Sequence, residues 1–174
     1  FAYQHSPYIT AIKKEIEDGT IGEVCYIDSA FITSDYNKEN IRMRRETLGG
    51  CTYDLGVYST SLTLGLLNEE PEKVEASAIF KLTSVVMEFA DGKKAAFTCG
   101  MTLATNQDRR LDRLEIDGTK GSITGTKFAF NGEGELSYTI RTAEGQEEVK
   151  TVEVPQNYRL EVEQFGRCID ENEK

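Results

Sequence analysis

Histidine is almost missing from this sequence: His5 is the only one among 174 residues. That excludes most histidine-based metal sites and any catalytic triad centred on a histidine of this chain. Cysteine is sparse and scattered, at Cys25, Cys51, Cys99 and Cys168. No two are close enough in sequence for a zinc ribbon or a redox CxxC, so no metal is expected, and the pattern suits reduced thiols in a cytoplasmic protein. No apolar run approaches the roughly 20 residues that a membrane-spanning helix needs. Positive charge is also short: 20 Lys and Arg stand against 30 Asp and Glu, a formal net charge of -10. A nucleic-acid partner requires the opposite balance. The one dense basic stretch, IRMRR at 41–45, reads either as a solvated loop or as a contact for an anion or substrate.

Nucleotide-binding signatures are missing too. NGEGELS at 131–137 has two of the glycines of a G-x-G-x-x-G turn, but Ser137 stands at the third position and a strand pattern follows, so it reads as a hairpin turn. Walker A, HExxH, EF-hand and GxSxG patterns are all absent.

What is present is the alternation of a mixed fold. SPYITAIKKEIEDG reads as a helix with Ser6 as N-cap, Pro7 in the first turn and Gly19 at the left-handed C-terminal position. Its stripe of Ile9, Ile12 and Ile16 should face a sheet, with Lys13, Lys14 and Glu17 in water. A long strand is expected from Glu23 to Ser34, then a polar loop to Leu48, then a helix from Gly50 to Leu67. After Pro71 come seven strand patterns, several joined by hairpin signals at 90–93, 117–121 and 143–146. Val85, Met87 and Phe89, then Ala95, Phe97, Cys99 and Met101, alternate with more polar residues as a half-buried meander does. A final helix carries Leu160, Val162, Phe165 and Ile169 on one stripe. The order predicts one α+β domain: an open, largely antiparallel (mixed) β-sheet with helices packed on one face.

One helix carries a possible chemistry. Asp54 and Tyr58 are four residues apart and so share a face, with Ser61 one turn on. A phenol exchanges protons only where a cation or hydrogen bond lowers its pKa; Arg42 and Arg44, or a lysine from elsewhere, are the available cations. The alternative stands beside it: helices that cover sheets bury tyrosines routinely, and an aspartate near a helix start suits the macrodipole.

The ordered set FAYQHSPYITAIKKEIEDGTIGEVCYIDSAF, NIR, GGCTYDLGVYSTSLTLGL, EEPEKVEASA, MEFADGKKAAFTCG, LEIDGTKGSIT and YRLEVEQF resembles the C-terminal domain of the Gfo/Idh/MocA oxidoreductases, from Phe1 to about Asp170. The resemblance implies that the chain, which begins at Phe1 rather than Met, is a fragment. It lacks an N-terminal Rossmann domain that would bind NAD or NADP, together with that domain's Glu-Lys-Pro lysine, so the fragment alone should be inert. It also implies that Asp54 and Tyr58 face the nicotinamide, with tyrosine marking the branch of glucose-fructose oxidoreductase, xylose dehydrogenases and dihydrodiol dehydrogenases. Tyr58 would accept the proton of a sugar, cyclitol or diol hydroxyl, and Asp54 would orient that network or bind a substrate hydroxyl. Arg42 and Ser61 would contact substrate, Arg42 alternatively holding its own loop. Gln4, where the family often has Arg, and Cys51, where it often has a third glycine, depart from the pattern. The open sheet face, with residues such as Phe97 and Met101, would form a homo-oligomer contact. The rival reading is a non-enzymatic association or ligand-binding domain.

Overall fold

The computed structural model describes residues 1–103, 110–125 and 132–171. Ser6 is extended, Pro7 opens α1 (Pro7–Glu17), and Gly19 at φ +72 reverses the chain, because only glycine enters that region without a Cβ penalty. Ile9 and Ile12 are buried and Ile16 packs against them, while Lys14 and Glu17 are exposed. The chain then enters β1 (Val24–Ser34) and crosses through α2 (Val57–Leu67) to a run of seven strands. These are β2 (Lys73–Ile79), β3 (Leu82–Glu88), β4 (Lys94–Leu103), β5 (Arg110–Gly118), β6 (Gly121–Gly125), β7 (Gly134–Thr142) and β8 (Glu147–Val154). The helix α3 (Asn157–Asp170) follows.

All eight strands form one sheet in the order β2-β3-β4-β1-β5-β6-β7-β8. Among the described residues only β1 and β4 run parallel; every other neighbouring pair is antiparallel. The expected open mixed sheet is therefore present. The hairpin between β3 and β4 turns through Ala90–Gly92, with Asp91 and Gly92 at positive φ, and is closed by the Phe89 amide on the Lys93 carbonyl at 2.9 Å. The remainder of the strand expected after Gly125, and the start of the NGEGELS turn, lie outside the described residues.

Register explains which face is dry. Met87, Ala95, Ile27, Ile116, Ile123 and Ile140 are successive cross-strand partners and are all buried, so one apolar row runs across six strands beneath the helices. Helix α2 covers β1 and β4, and α1 covers β7 and β8. The opposite face carries Val86, Ala96, Asp28, Glu115, Thr124 and Thr139, largely small or polar. Phe97 and Met101 do not belong to that open face: they are buried on the helix side, because the period of two puts them with Ala95 and Cys99.

Helix α3 also departs from expectation. It packs on the short turn Ala2–His5 rather than on the sheet, and Val162, Phe165 and Ile169 are each more than 60% exposed.

Candidate active site

The chain enters the helix expected from Gly50 through one wide turn, Thr52–Gly56, of π geometry; α2 proper starts at Val57. Such turns recur at functional sites because they shift the helix face by part of a turn. Here the turn holds Asp54. Gly56 presses against the sheet at its end: a Cβ there would stand 3.1 Å from the Cys99 sulfur and 3.6 Å from the Phe97 ring.

Arg42 reaches Asp54 from the preceding loop. Its Nε donates to Asp54 Oδ1 at 2.8 Å, and its guanidinium lies 5.5 Å from the centre of the Tyr36 ring. The carboxylate raises the guanidinium pKa beyond its ordinary value, so the arginine stays charged. Two backbone devices place it. The Asn40 side chain accepts a bond from the Arg42 amide at 3.0 Å, and the Gly50 amide donates to the Arg42 carbonyl at 2.9 Å. Gly49 makes the second possible, because a Cβ there would fall 2.5 Å from the Arg42 carbonyl oxygen and 2.6 Å from that of Arg44. Gly49→Ala is accordingly expected to cost about 1–3 kcal/mol through backbone displacement, read as a lowered denaturation midpoint. An unchanged midpoint would show that the loop bears no such constraint.

Tyr58 is half-buried beside this pair. Its ring stands edge-on to Phe31 at 5.8 Å and tilted against Phe1 at 5.2 Å and Tyr3 at 6.1 Å. Burial raises its pKa above 10; the phenol of Tyr158 and the carboxylate of Asp54 raise it further, while Arg42 and Arg110 act in the opposite direction. Taken alone, the domain keeps Tyr58 protonated at neutral pH. Ser61 sits one turn along, but its hydroxyl is held by Tyr3 at 2.6 Å and donates to the Tyr58 carbonyl at 3.1 Å. It lines a separate cleft of about 240 Å³ with Tyr3, Gln4 and Lys13. Of the four residues singled out from sequence, the structure brings Asp54, Arg42 and Tyr58 together and turns Ser61 toward the neighbouring cleft. Arg44 turns away, to Glu39 at 3.2 Å.

Residues distant in sequence complete the surroundings. Arg110, at the start of β5, stacks over Phe31 at 4.5 Å and pairs with Asp112 at 2.6 Å. Tyr36 and Tyr158 were not singled out either. No local pattern marks any of them; the sheet register and the return of α3 bring Arg110 and Tyr158 toward Tyr58, and Tyr36 meets Arg42.

The glycine pair before α2 offers no anion cradle. Gly49, Gly50 and Cys51 spend their amides on Arg44, Arg42 and Phe80 carbonyls, at 2.9, 2.9 and 3.0 Å. Cys51 and Cys99 lie buried below, where burial and the neighbouring Cys51 push the Cys99 thiol up to about 12. Among the described residues no cluster of metal-ligating side chains occurs, and no helix is long and apolar enough to cross a membrane.

An open mixed sheet with α1 and α2 on one face thus carries a charged pair beside half-buried Tyr58, in a domain of a dehydrogenase family as the following comparisons show. The chain belongs to the GFO/IDH/MocA family: the sequence model of that family's C-terminal domain matches residues 9–124. It is 30% identical over 167 residues to an uncharacterized oxidoreductase of Rhizobium meliloti, covering 88% of this chain and 48% of the relative. It is 26% identical over 162 residues to an inositol 2-dehydrogenase of Rhizobium meliloti (strain 1021), covering 83% and 44%. The chain thus spans about half the length of the curated relatives it matches. Among solved structures, an aldose-aldose oxidoreductase from Caulobacter crescentus complexed with glycerol superposes with a TM-score of 0.84 at 17% identity, over 100% of this chain and 53% of that one. The 3-ketoreductase KijD10 from Actinomadura kijaniata, in complex with NADP and TDP-benzene, gives 0.83 at 17% identity, over 99% and 54%. At those identities the likeness concerns the fold.

Proposed function

We propose that this chain is the substrate-binding half of an NAD(P)-dependent oxidoreductase that moves hydride between a sugar, cyclitol or diol hydroxyl and nicotinamide. The observation that carries the reading is the Arg42–Asp54 ion pair beside half-buried Tyr58, inside the segment that matches the family. An inositol dehydrogenase among its relatives and sugar-related enzymes among its structural neighbours support the substrate class. NADP bound to KijD10 supports the cofactor.

When bound, the nicotinamide supplies the acceptor or donor of hydride. This chain's amides at the glycine pair are already spent on the Arg44, Arg42 and Phe80 carbonyls, so they are not the donors for a cofactor phosphate. What the chain contributes is proton handling. Oxidation of an alcohol releases the hydroxyl proton as the carbon loses hydride, and Tyr58 Oη is the atom that would take it. Its raised pKa suits the reverse direction, in which a neutral phenol donates to the developing alkoxide. Acceptance requires a further cation, which a lysine from the cofactor domain would supply. Asp54, fixed by Arg42, orients that network, and Arg42 contacts substrate beside Tyr58; Ser61 would do so only for a substrate that extends into the neighbouring cleft.

The test is a panel of sugars, inositols and diols offered to the full-length protein with NAD and with NADP, followed by nicotinamide absorbance. Turnover supports the assignment; cofactor binding without turnover on any polyol removes the substrate class. Absence of cofactor binding returns the chain to an association role.

The open sheet face supports a second contribution, pairing with another copy. Val86, Tyr26, Ile79 and Val149 are exposed there among small residues such as Ser84, Ala96 and Thr98. Val86→Glu, a charge placed among the exposed apolar and small residues of this face, is expected to shift the protein toward monomer by at least tenfold in dissociation constant. Sedimentation reads this directly, and an unchanged profile would exclude this face.

A further inference from the structure

Two charged residues stand where the sheet pattern would place apolar ones. Register sets Phe31 of β1 directly opposite Asp112 of β5, and Arg110, two residues along, falls on the same face. Further along the two strands that face carries Ile27, Leu114 and Ile116, all buried beneath the helices. The Asp112 side chain is itself only 13% exposed. An ion pair on an otherwise dry face returns little stability for its desolvation, so stability alone does not account for Arg110 and Asp112.

Their geometry is specific. Arg110 Nε lies 2.6 Å from Asp112 Oδ2, and the guanidinium is 4.5 Å from the centre of the Phe31 ring. That ring stands edge-on to Tyr58 at 5.8 Å. A carboxylate, a cation, a ring and the tyrosine thus form one continuous series from the sheet to α2. Phe31, Asp112 and Arg110 all sit on paired strands, which hold a side chain in place more firmly than a loop does.

We propose that Arg110 is a positioning residue for the reaction: anchored by Asp112 and stacked on Phe31, it holds a fixed positive charge beside Tyr58, where it stabilises the ionised phenol. This rests on the functional reading above, in which Tyr58 exchanges the proton. Titratable groups reach Tyr58 from every element around it: Asp54 from the turn before α2, Arg42 from the loop, Tyr158 from α3, Tyr3 from the first turn and Arg110 from β5. Burial first, then Tyr158 and Asp54, favour the neutral phenol; Arg42 and Arg110 oppose them. Arg42 is bonded to Asp54, one of the groups it opposes. Arg110 is bonded to a carboxylate of the sheet, and so brings its charge from outside the Arg42–Asp54 pair.

The sign follows from the chemistry. In carbonyl reduction the phenol donates only while neutral, so on the alkaline limb of the rate the active fraction falls about tenfold per pH unit. Removing the Arg110 charge makes ionisation harder and moves that limb to higher pH. Removing the Asp112 charge leaves Arg110 less opposed and moves it to lower pH. A defect of packing lowers the plateau and leaves the limb where it was.

The experiment is a pH titration of the full-length protein and of three variants, Arg110→Met, Arg110→Lys and Asp112→Asn. Methionine keeps much of the side-chain length without the charge, lysine keeps the charge without the fork, and asparagine keeps an oxygen for Arg110 without the carboxylate. Ionisation of Tyr58 is read from tyrosinate absorbance, as the difference between each protein and the same protein carrying Tyr58→Phe. Carbonyl reduction is followed in parallel by nicotinamide absorbance. At a fixed pH on the limb, the rate relative to its plateau should rise about threefold or more in Arg110→Met, fall by a similar factor in Asp112→Asn and stay near wild type in Arg110→Lys. The absorbance titrations should move in the same order. Variants that lower the plateau and leave both titrations in place overturn the inference, because Arg110 would then serve packing alone. Shifts of the same sign in Arg110→Met and Asp112→Asn overturn it too. The functional reading fails separately: absorbance shifts in a protein that turns over no polyol would keep the charge assignment and remove the reaction. Turnover with a Tyr58 indifferent to all three variants would do the reverse.

Discussion

Replacing Tyr58 by phenylalanine is expected to lower kcat/KM of the full-length enzyme by about 10²–10⁴-fold, the usual worth of a positioned proton-transfer group. KM should move little, because the ring contacts with Phe1, Tyr3 and Phe31 survive the loss of the hydroxyl. The fold should be unchanged, which circular dichroism checks. The pH profile supplies a sharper criterion. In carbonyl reduction the Tyr58 phenol donates only while neutral, so the rate should fall on the alkaline side of its pKa, which this domain raises by burial and a lysine from the cofactor domain would lower. In the phenylalanine variant that limb should disappear. Retention of both rate and limb would transfer the role to another group, the incoming lysine first.

Phe97→Ala should have the largest effect on stability, about 3–5 kcal/mol, because it removes a buried aromatic side chain that the surroundings cannot refill. The position matters beyond its size. Phe97 lies on β4 under the π turn, with Gly56 in close approach above it. A cavity there takes away the floor on which Asp54 rests, so activity should fall at temperatures where the variant is still folded. Chemical denaturation measures the first effect, and turnover well below the transition measures the second. A variant that loses stability but keeps full activity would show that the turn is held by its own hydrogen bonds, not by the sheet.

Much of this architecture is legible in the sequence, for local reasons. Ser6, Pro7 and Gly19 mark the ends of α1 because caps are read within a few residues, and the left-handed pair Asp91–Gly92 announces its hairpin in the same way. The alternation in β3 and β4 gives the buried set correctly, since a period of two needs no partner to be recognised. Alternation alone, though, does not say which set meets the helices. That is why Phe97 and Met101 read as candidates for the open face while lying in the core. The π turn is hidden because its residues would suit an α-helix equally well. Helix α3 shows the same limit at larger scale: periodicity reveals that Val162, Phe165 and Ile169 share a face, but not that the sheet stays out of their reach. At the site, Asp54 and Tyr58 are found by spacing and Arg42 by its place in the loop. Arg110, Phe31, Tyr36 and Tyr158 come from separate elements, and their meeting is a property of the assembled sheet.

The central position of β1 sets the pace at which this chain can acquire its structure. That strand is made early, yet its neighbours on both sides come much later: Tyr26 pairs with Lys94 and Ile27 with Ile116. Pairings roughly 70 to 90 residues apart place a domain among the slow, millisecond-to-second folders, since loop closure must precede any gain from contact. During synthesis, β1 must wait, unpaired and rich in β-branched and aromatic residues, until β4 and β5 have been made. For that interval the strand that ends paired on both sides is an exposed route to aggregation.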